Sequence, residues 1–282
     1  MDNNNLILNR FFSKKTLLDV INGRKNFVFT NIASTCARDH TGTNIDVITN
    51  VYSFMSKEHR NEYFYKNTLL NKLLLGRHSL RTTTALSEVR VNKSKADFIL
   101  INGRAVVYEI KTELDTLDRL ESQIEDYYKA FSNVCVVTSE SNYYKVFKML
   151  KDTPVGIYVL TSKSTISHRK EPLENNSSLN HDIMFKLLRK QEFEEILINC
   201  YGTLPQCTPA QYYRKSRLLF QALDIQVAYS QLLRALKKRV RIEEEGYRNL
   251  VPYELKYLIY FSQFRMDDYS KLNSFLTRRF GG

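Results

Sequence analysis

The stretch Ala96-Asp97-Phe98-Ile99-Leu100-Ile101-Asn102-Gly103-Arg104-Ala105-Val106-Val107-Tyr108-Glu109-Ile110-Lys111 decides how this chain is read. Two apolar runs flank an Asn-Gly dipeptide, the pattern of a β-hairpin. Asp97, Glu109 and Lys111 then stand in strands that otherwise read as buried. A buried carboxylate costs several kcal/mol unless it is paired or holds a cation, so these charges need a reason. Register tests it. A two-residue Asn102-Gly103 turn pairs Ile101 with Arg104 and puts Asp97 and Glu109 on opposite faces of the sheet. A three-residue loop with Gly103 in the left-handed region pairs Leu100 with Arg104 and Asp97 with Val107, so that Asp97, Glu109 and Lys111 share a face. We expect that register, or a bulge of the same parity.

Two carboxylates converging on one face form the hard-oxygen donor set that Mg²⁺ or Mn²⁺ favours. Such an ion polarises a phosphoryl oxygen and generates a nucleophile from water. Lys111, two residues beyond Glu109, stands where it could orient that water. The chemistry expected is hydrolysis of a phosphodiester.

At these residues the chain resembles the PD-(D/E)xK nuclease superfamily, whose core motif is an Asp, a turn-containing spacer and Glu-x-Lys on the next strand. Glu88 is similar to its upstream acid, and Gln123-x-x-x-Tyr127 resembles the Gln-x-x-x-Tyr motif of nuclease domains in bacterial recombination helicase-nucleases. From about Glu58 to Thr161 the chain is similar to a little-characterised bacterial and phage group of that superfamily. Its most distinctive run here is Tyr108-Glu109-Ile110-Lys111 with the following Glu113-Leu114-Asp115, Arg119-Leu120 and Gln123-Ile124. Ala96 replaces the proline of the family pattern. The resemblance implies an α/β, restriction-endonuclease-like mixed sheet of order α-β-β-β-α-β-α-β flanked by helices. It also implies a catalytic set of Asp97, Glu109, Lys111, Glu88, Gln123 and Tyr127. The metal ligands would be Asp97, Glu109, Glu88 and the Ile110 carbonyl, with Gln123 and Tyr127 orienting the lysine or the nucleic-acid strand. Read without the resemblance, Gln123 and Tyr127 share a helix face and could simply pack a helix flank on the sheet.

The 282 residues allow one large or two ordinary domains. At 43% hydrophobic and 26% charged, the composition is that of a folded protein. No apolar run approaches a membrane span, and the opening Met1-Asp2-Asn3-Asn4-Asn5-Leu6 lacks a signal-peptide pattern, so a cytoplasmic protein is expected. Cys36, Cys135, Cys200 and Cys207 show no zinc-ligand spacing and read as free thiols, and the histidines, His40 and His78 among them, are scattered. The formal net charge of +12 points to a polyanionic partner, because lysines and arginines that neutralise phosphates release condensed counterions. DNA is favoured over RNA.

Along the chain, residues 1–45, with apolar clusters at Leu17-Leu18-Asp19-Val20-Ile21 and Phe27-Val28-Phe29, read as an N-terminal extension holding a short helix and an extended piece. Residues 46–163 read as the nuclease-like domain, with a helix from Glu58 to Leu75 closed by Gly76. Strands are expected at 83–91, 96–101, 105–111, 134–138 and 156–160, with helices from Asp115 or Thr116 to Phe131 and at 141–151. A polar linker covers 164–180, and 181–282 reads as a helical region with helices at 182–200, 209–221, 224–245 and 252–280. Within it Arg234, Lys237, Lys238, Arg239 and Arg241 could grip a phosphate backbone, or form a solvated face balanced by Glu243-Glu244-Glu245. This region is also a candidate for protein-partner or homodimer contacts. The rival to a nuclease is a nucleic-acid- or protein-binding module that keeps the fold without turnover, for instance a regulator in phage and host conflict.

Overall fold

The computed structural model describes residues 3–36, 42–76 and 79–281, so His40 and His78 lie outside the described residues. In chain order the elements begin with α1 (Asn3–Phe11), α2 (Lys14–Ile21), α3 (Phe27–Cys36), α4 (Asn44–Glu58), α5 (Glu62–Leu69) and a π-helical turn Leu70–Leu75. Then come β1 (Thr84–Val91), β2 (Ser94–Asn102), β3 (Arg104–Lys111), α6 (Leu120–Tyr128), β4 (Asn133–Ser139), α7 (Glu140–Leu150), β5 (Gly156–Leu160) and β6 (Ile166–Lys170). The remainder is helical: α8 (His181–Leu187), α9 (Lys190–Tyr201), α10 (Pro209–Gln221), α11 (Ile225–Lys237), α12 (Glu244–Leu250), a short turn Tyr253–Leu255, α13 (Lys256–Ser262) and α14 (Met266–Thr277).

The chain divides into two units, Met1–Leu80 with Ser162–Ile166 and Arg241–Gly282, and Arg81–Thr161 with Ser167–Val240. The first unit joins the beginning of the chain to its end. Asn67, buried in α5, shows how: its amide donates to the Tyr52 hydroxyl (2.9 Å) and the Tyr253 carbonyl (3.0 Å), and its Oδ1 accepts the Tyr257 N–H (2.9 Å). Asn44 likewise donates to the Phe275 carbonyl at 2.8 Å, and Phe12 stacks on Tyr63 with ring centroids 4.6 Å apart. In place of an extended piece the described residues 3–36 hold three helices, and Phe27–Phe29 opens α3, because the Asn26 side chain accepts the Phe29 N–H at 3.1 Å and starts a helix there. Gly76 does close the π-helical turn, but with a right-handed backbone rather than a left-handed cap.

The second unit holds a six-stranded mixed sheet in the order β1-β2-β3-β4-β5-β6. β1–β2 and β2–β3 are antiparallel, while β3–β4 and β4–β5 are parallel and connected through α6 and α7. The hairpin keeps the expected parity at a shifted position. Ile101 pairs with Ala105 and Leu100 with Val106, leaving Gly103 alone at φ +73° between Asn102 and Arg104. Leu100 therefore does not face Arg104; a tighter turn than expected moves every pair by two residues and leaves each side chain on its expected face. Ile99, Val107, Val136 and Ile157 from neighbouring strands join Leu120, Ile124, Tyr127 and Phe131 in one apolar core, completed by α8 to α11.

Residues 164–180 are not a free linker. They include β6, whose polar Ile166-Ser-His-Arg-Lys composition hides it from hydrophobic periodicity. The backbone beyond β6 is tied down by Leu173 N–H to Pro154 (2.9 Å), Asn175 N–H to Ser132 (2.8 Å) and Asn180 N–H to Lys129 (2.9 Å). Gly156 makes room for this segment, since a Cβ there would stand 2.7 Å from Pro172. The expected helices of the C-terminal region break at caps. Arg189 is extended between α8 and α9, and α11 ends at Lys237. Gln263 takes φ +55° between α13 and α14. α6 begins at Leu120 rather than at residue 115 or 116, because Asp115 is spent on the Thr112 N–H (2.8 Å) and hydroxyl (2.7 Å).

One carboxylate pins the β1–β2 turn to α6. Asp126 accepts from the Asn92 amide (2.5 Å), the Lys93 N–H (3.2 Å), the Ser94 hydroxyl (2.8 Å) and Lys129 (2.8 Å). Burial pushes its pKa up, but Lys129, Asn92 and Ser94 together bring it from 3.8 down to about 2. A depressed carboxylate contributes stability above its unfolded value and loses it as pH falls towards its folded one. Asp126→Asn should therefore lower the denaturant midpoint at pH 5 to 7, and the gap to wild type should close between pH 4 and 2. Denaturation curves across that range check it; a gap that does not vary with pH would assign Asp126 a purely steric role.

Candidate active site

The β2–β3 ladder stops at Phe98–Tyr108, and the two strands part beyond it. Past that point the Ile110 N–H is accepted not by backbone but by Asp97 Oδ2 at 2.8 Å. A side chain thus replaces a rung of the ladder and holds the diverging strands together at the place where the candidate residues gather.

On β3, Glu109 is 2% exposed and Lys111 9%. They are neighbours on one face, with Lys111 Nζ 3.0 Å from Glu109 Oε1. From α6, the Gln123 amide donates to Glu109 Oε1 at 2.6 Å while its own carbonyl oxygen accepts from Lys111 Nζ at 2.9 Å. The Tyr127 hydroxyl donates to Glu109 Oε2 at 2.6 Å and lies 3.0 Å from the Lys95 carbonyl oxygen. Gln123 and Tyr127 reach the same carboxylate because residues four apart share a helix face. Burial pushes the Glu109 carboxyl up, and the Lys111 charge with the hydrogen bonds from Tyr127, Lys111 and Gln123 holds it back. Burial, with the charge of Glu109 next, drives the Tyr127 hydroxyl far above the ordinary tyrosine value, so it acts only as a neutral donor. Thr138 and Asn142 anchor the strand end, donating to the Lys111 carbonyl and the Thr112 carbonyl at 2.9 Å each.

Glu88 faces Asp97 across β1–β2, at a point where the ladder skips one pair between Ser87–Phe98 and Val89–Ala96. Its φ is +58°, a left-handed backbone that a non-glycine residue rarely adopts and that costs about 1–2 kcal/mol. That turn-out brings its carboxylate within 4.8 Å of that of Asp97 and lets it pair with Lys95. Glu109 does not bring an oxygen within the same distance of both. The expected four-part ligand set is therefore divided: Glu88 and Asp97 form one carboxylate pair, and Glu109 is drawn into the Lys111–Gln123–Tyr127 network. Ile110 contributes through its N–H to Asp97. Two converging acidic oxygens suit a hard divalent cation better than any soft-metal chemistry, and the free cysteines Cys135, Cys200 and Cys207 lie outside this group.

Lys95, Thr138 and Asn142 were not singled out by the sequence. Their distance from Glu109 along the chain leaves no local pattern to find them. The basic cluster also resolves into parts. Arg239 makes a two-point contact with Glu192 (2.7 and 2.6 Å) and donates to the Leu187 carbonyl at 2.5 Å, and Lys238 pairs with Glu195. Arg241 belongs to the first unit. In the acidic triplet, Glu243 caps α12 and Glu244 pairs with Arg248.

A family model described as bacteriophage P4 protein cII matches residues 55–254, more than half of the chain. The chain belongs to the bacteriophage P4 protein cII family. The matched residues include Glu88, Asp97, Glu109, Lys111, Gln123 and Tyr127, so the whole site lies inside the family's span. Comparison with curated proteins gives no match. A solved structure described as the SPO1766 protein of unknown function from Silicibacter pomeroyi is similar over 58% of this chain and 87% of its own, at 11% identity and a TM-score of 0.27.

The strained backbone at Glu88 yields a test. Glycine relieves a left-handed φ and alanine does not. Glu88→Gly should be more stable than Glu88→Ala by about 1 kcal/mol, although both remove the same carboxylate. Equal melting temperatures for the two variants would show that the backbone relaxes there without cost.

Proposed function

We propose that the second unit is a metal-dependent nuclease of the PD-(D/E)xK kind, acting on the phosphodiester bonds of nucleic acid, DNA in preference to RNA. The observation that carries the reading is the buried Lys111. An ammonium largely withdrawn from water is held at one defined point by Glu109 and Gln123, on the strand whose Ile110 N–H is accepted by Asp97. The order of helix and strands, α5 with its π-helical turn and then β1-β2-β3-α6-β4-α7-β5, supports a restriction-endonuclease-like fold.

Asp97 and Glu88, whose carboxylates converge, would hold Mg²⁺ or Mn²⁺, with the Ile110 carbonyl as a further ligand; bound there, the ion supplies Lewis acidity at the phosphoryl oxygen and at the attacking water. The chain's own contribution is positional. Asp97 is oriented by the Ile110 N–H. Gln123 and Tyr127 keep Glu109 turned towards Lys111. Lys111 orients the attacking water by donating a hydrogen bond. The net charge of +12 favours a polyanionic substrate.

Both Glu109 oxygens already accept hydrogen bonds. That observation favours the second reading, a non-catalytic nucleic-acid- or protein-binding module on the same fold, such as a phage regulator. Incubation with labelled single- and double-stranded DNA and RNA in Mg²⁺, Mn²⁺ or EDTA separates the two, since only the nuclease cleaves and only with metal. Lys111→Ala should keep nucleic-acid affinity within a few-fold and lose cleavage by roughly 10²-fold or more, the scale of a positioned acid-base group. Calorimetric titration with Mn²⁺ should show a site in wild type that is gone in Asp97→Ala. Absence of metal-dependent cleavage by the wild type would leave the binding module.

A further inference from the structure

Between α9 and α11 of the second unit runs a groove of about 470 Å³. Its floor is apolar, from Ile196 and Ala235, and the amides of Asn199 and Gln231 border it. Four cations stand on the last turn of α11 and just beyond, and they divide into two classes. Arg239 is committed to Glu192 and Lys238 to Glu195, which uses both carboxylates of the groove. Arg234, exposed, and Lys237, half-buried, have no ion-pair partner among the described residues. A helix C-terminus accounts for a positive charge in its last turn. Arg234 and Lys237 both stand in that turn, where the partial charge of a helix end, about half a unit, offsets less than two full cations, on a groove whose acidic residues are already taken. The wall is left with an excess of two positive charges above a surface that also offers amide donors and acceptors.

We infer that this groove is a second phosphodiester-binding contact, in which Arg234 and Lys237 take backbone phosphates of the nucleic acid. The inference rests on the nucleic-acid reading proposed above and adds to it a contact separate from the carboxylates. The separation follows from β1. Thr84 donates its hydroxyl to the Lys237 carbonyl at 2.7 Å, and Glu88 stands four residues further along the strand, about 13 Å away. A polymer spanning both places is held by more than the bond it presents for cleavage, whereas a mononucleotide reaches only one. The occupant favoured over an acidic protein is a nucleic acid, because the groove pairs its excess charge with amides and an apolar floor that can meet bases as well as phosphates.

The test uses the full chain, in EDTA so that nothing is cleaved. Fluorescence anisotropy with labelled duplex and single-stranded DNA of several sequences gives log affinity against log salt. Arg234→Gln combined with Lys237→Gln should bind more weakly at every sequence and flatten the duplex slope by about 0.9 for each lost contact. Arg234→Lys with Lys237→Arg, which keeps both charges, should restore the slope, and Lys238→Gln, which removes a paired charge, should leave it nearer to wild type. Unchanged melting temperature and circular dichroism in each variant secure the comparison. An unchanged slope in the double variant overturns the inference, as does a wild type that binds neither DNA form; loss of binding to a polyglutamate peptide with DNA binding intact reassigns the groove to an acidic protein. A flattened slope in a protein that never cleaves in Mg²⁺ or Mn²⁺ keeps the groove and removes the nuclease, so the two proposals fail separately.

Discussion

The second unit is organised around one costly interaction, the burial of Glu109 and Lys111 side by side at the end of a central strand. Two desolvated charges cost several kcal/mol each, and their mutual attraction offsets this only when hydrogen bonds satisfy what remains. Here Gln123 bridges the pair, touching both, and Tyr127 takes the second carboxylate oxygen. α6 must therefore lie where it does, against β2 and β4, for the strand to tolerate its own sequence. The core packing of Leu120, Ile124 and Phe131 and the polar network of Gln123 and Tyr127 are two faces of the same docking.

That constraint extends to the neighbouring strands. β2 leaves β3 just before Asp97, and the carboxylate fills the vacated rung by accepting from Ile110. β1 then turns out of its ladder at Glu88, at a backbone angle that costs energy. Strain that persists in a sheet is held by its surroundings, and it collects where function is built. Both distortions have the same effect: they carry carboxylates to the open end of the strands rather than into the apolar layer beneath.

Charge is distributed on the same principle of partnership. A net +12 describes the whole chain but not any one surface. Arg239 and Lys238 are absorbed by α9, and Lys129 by Asp126. Lys256 donates to the Tyr247 carbonyl at the end of α12, where burial brings its pKa down to about 8. Much of the lysine and arginine content thus serves the fold, and a basic run in the sequence says less about partners than the few cations whose acidic neighbours are already engaged.

The sequence by itself determined strands β1 to β5, the hairpin parity, the shared face of Glu109 and Lys111, and the helix that presents Gln123 and Tyr127, because each is written in local periodicity and turn chemistry. Periodicity two places alternate residues on one face whatever the fold, and Gly103 supplies the left-handed turn wherever it stands. Only the tertiary structure decided the rest. The joining of both chain ends in one unit rests on contacts such as Asn67 with Tyr253 and Tyr257, which no local pattern encodes. The division of the carboxylates depends on where β2 and β3 part, and the fate of the basic cluster depends on α9, more than forty residues earlier in the chain. β6 escaped because a half-exposed polar edge strand carries no apolar signal. Local chemistry is legible in a sequence; which distant group satisfies a buried charge is settled only by the packing that brings the two together.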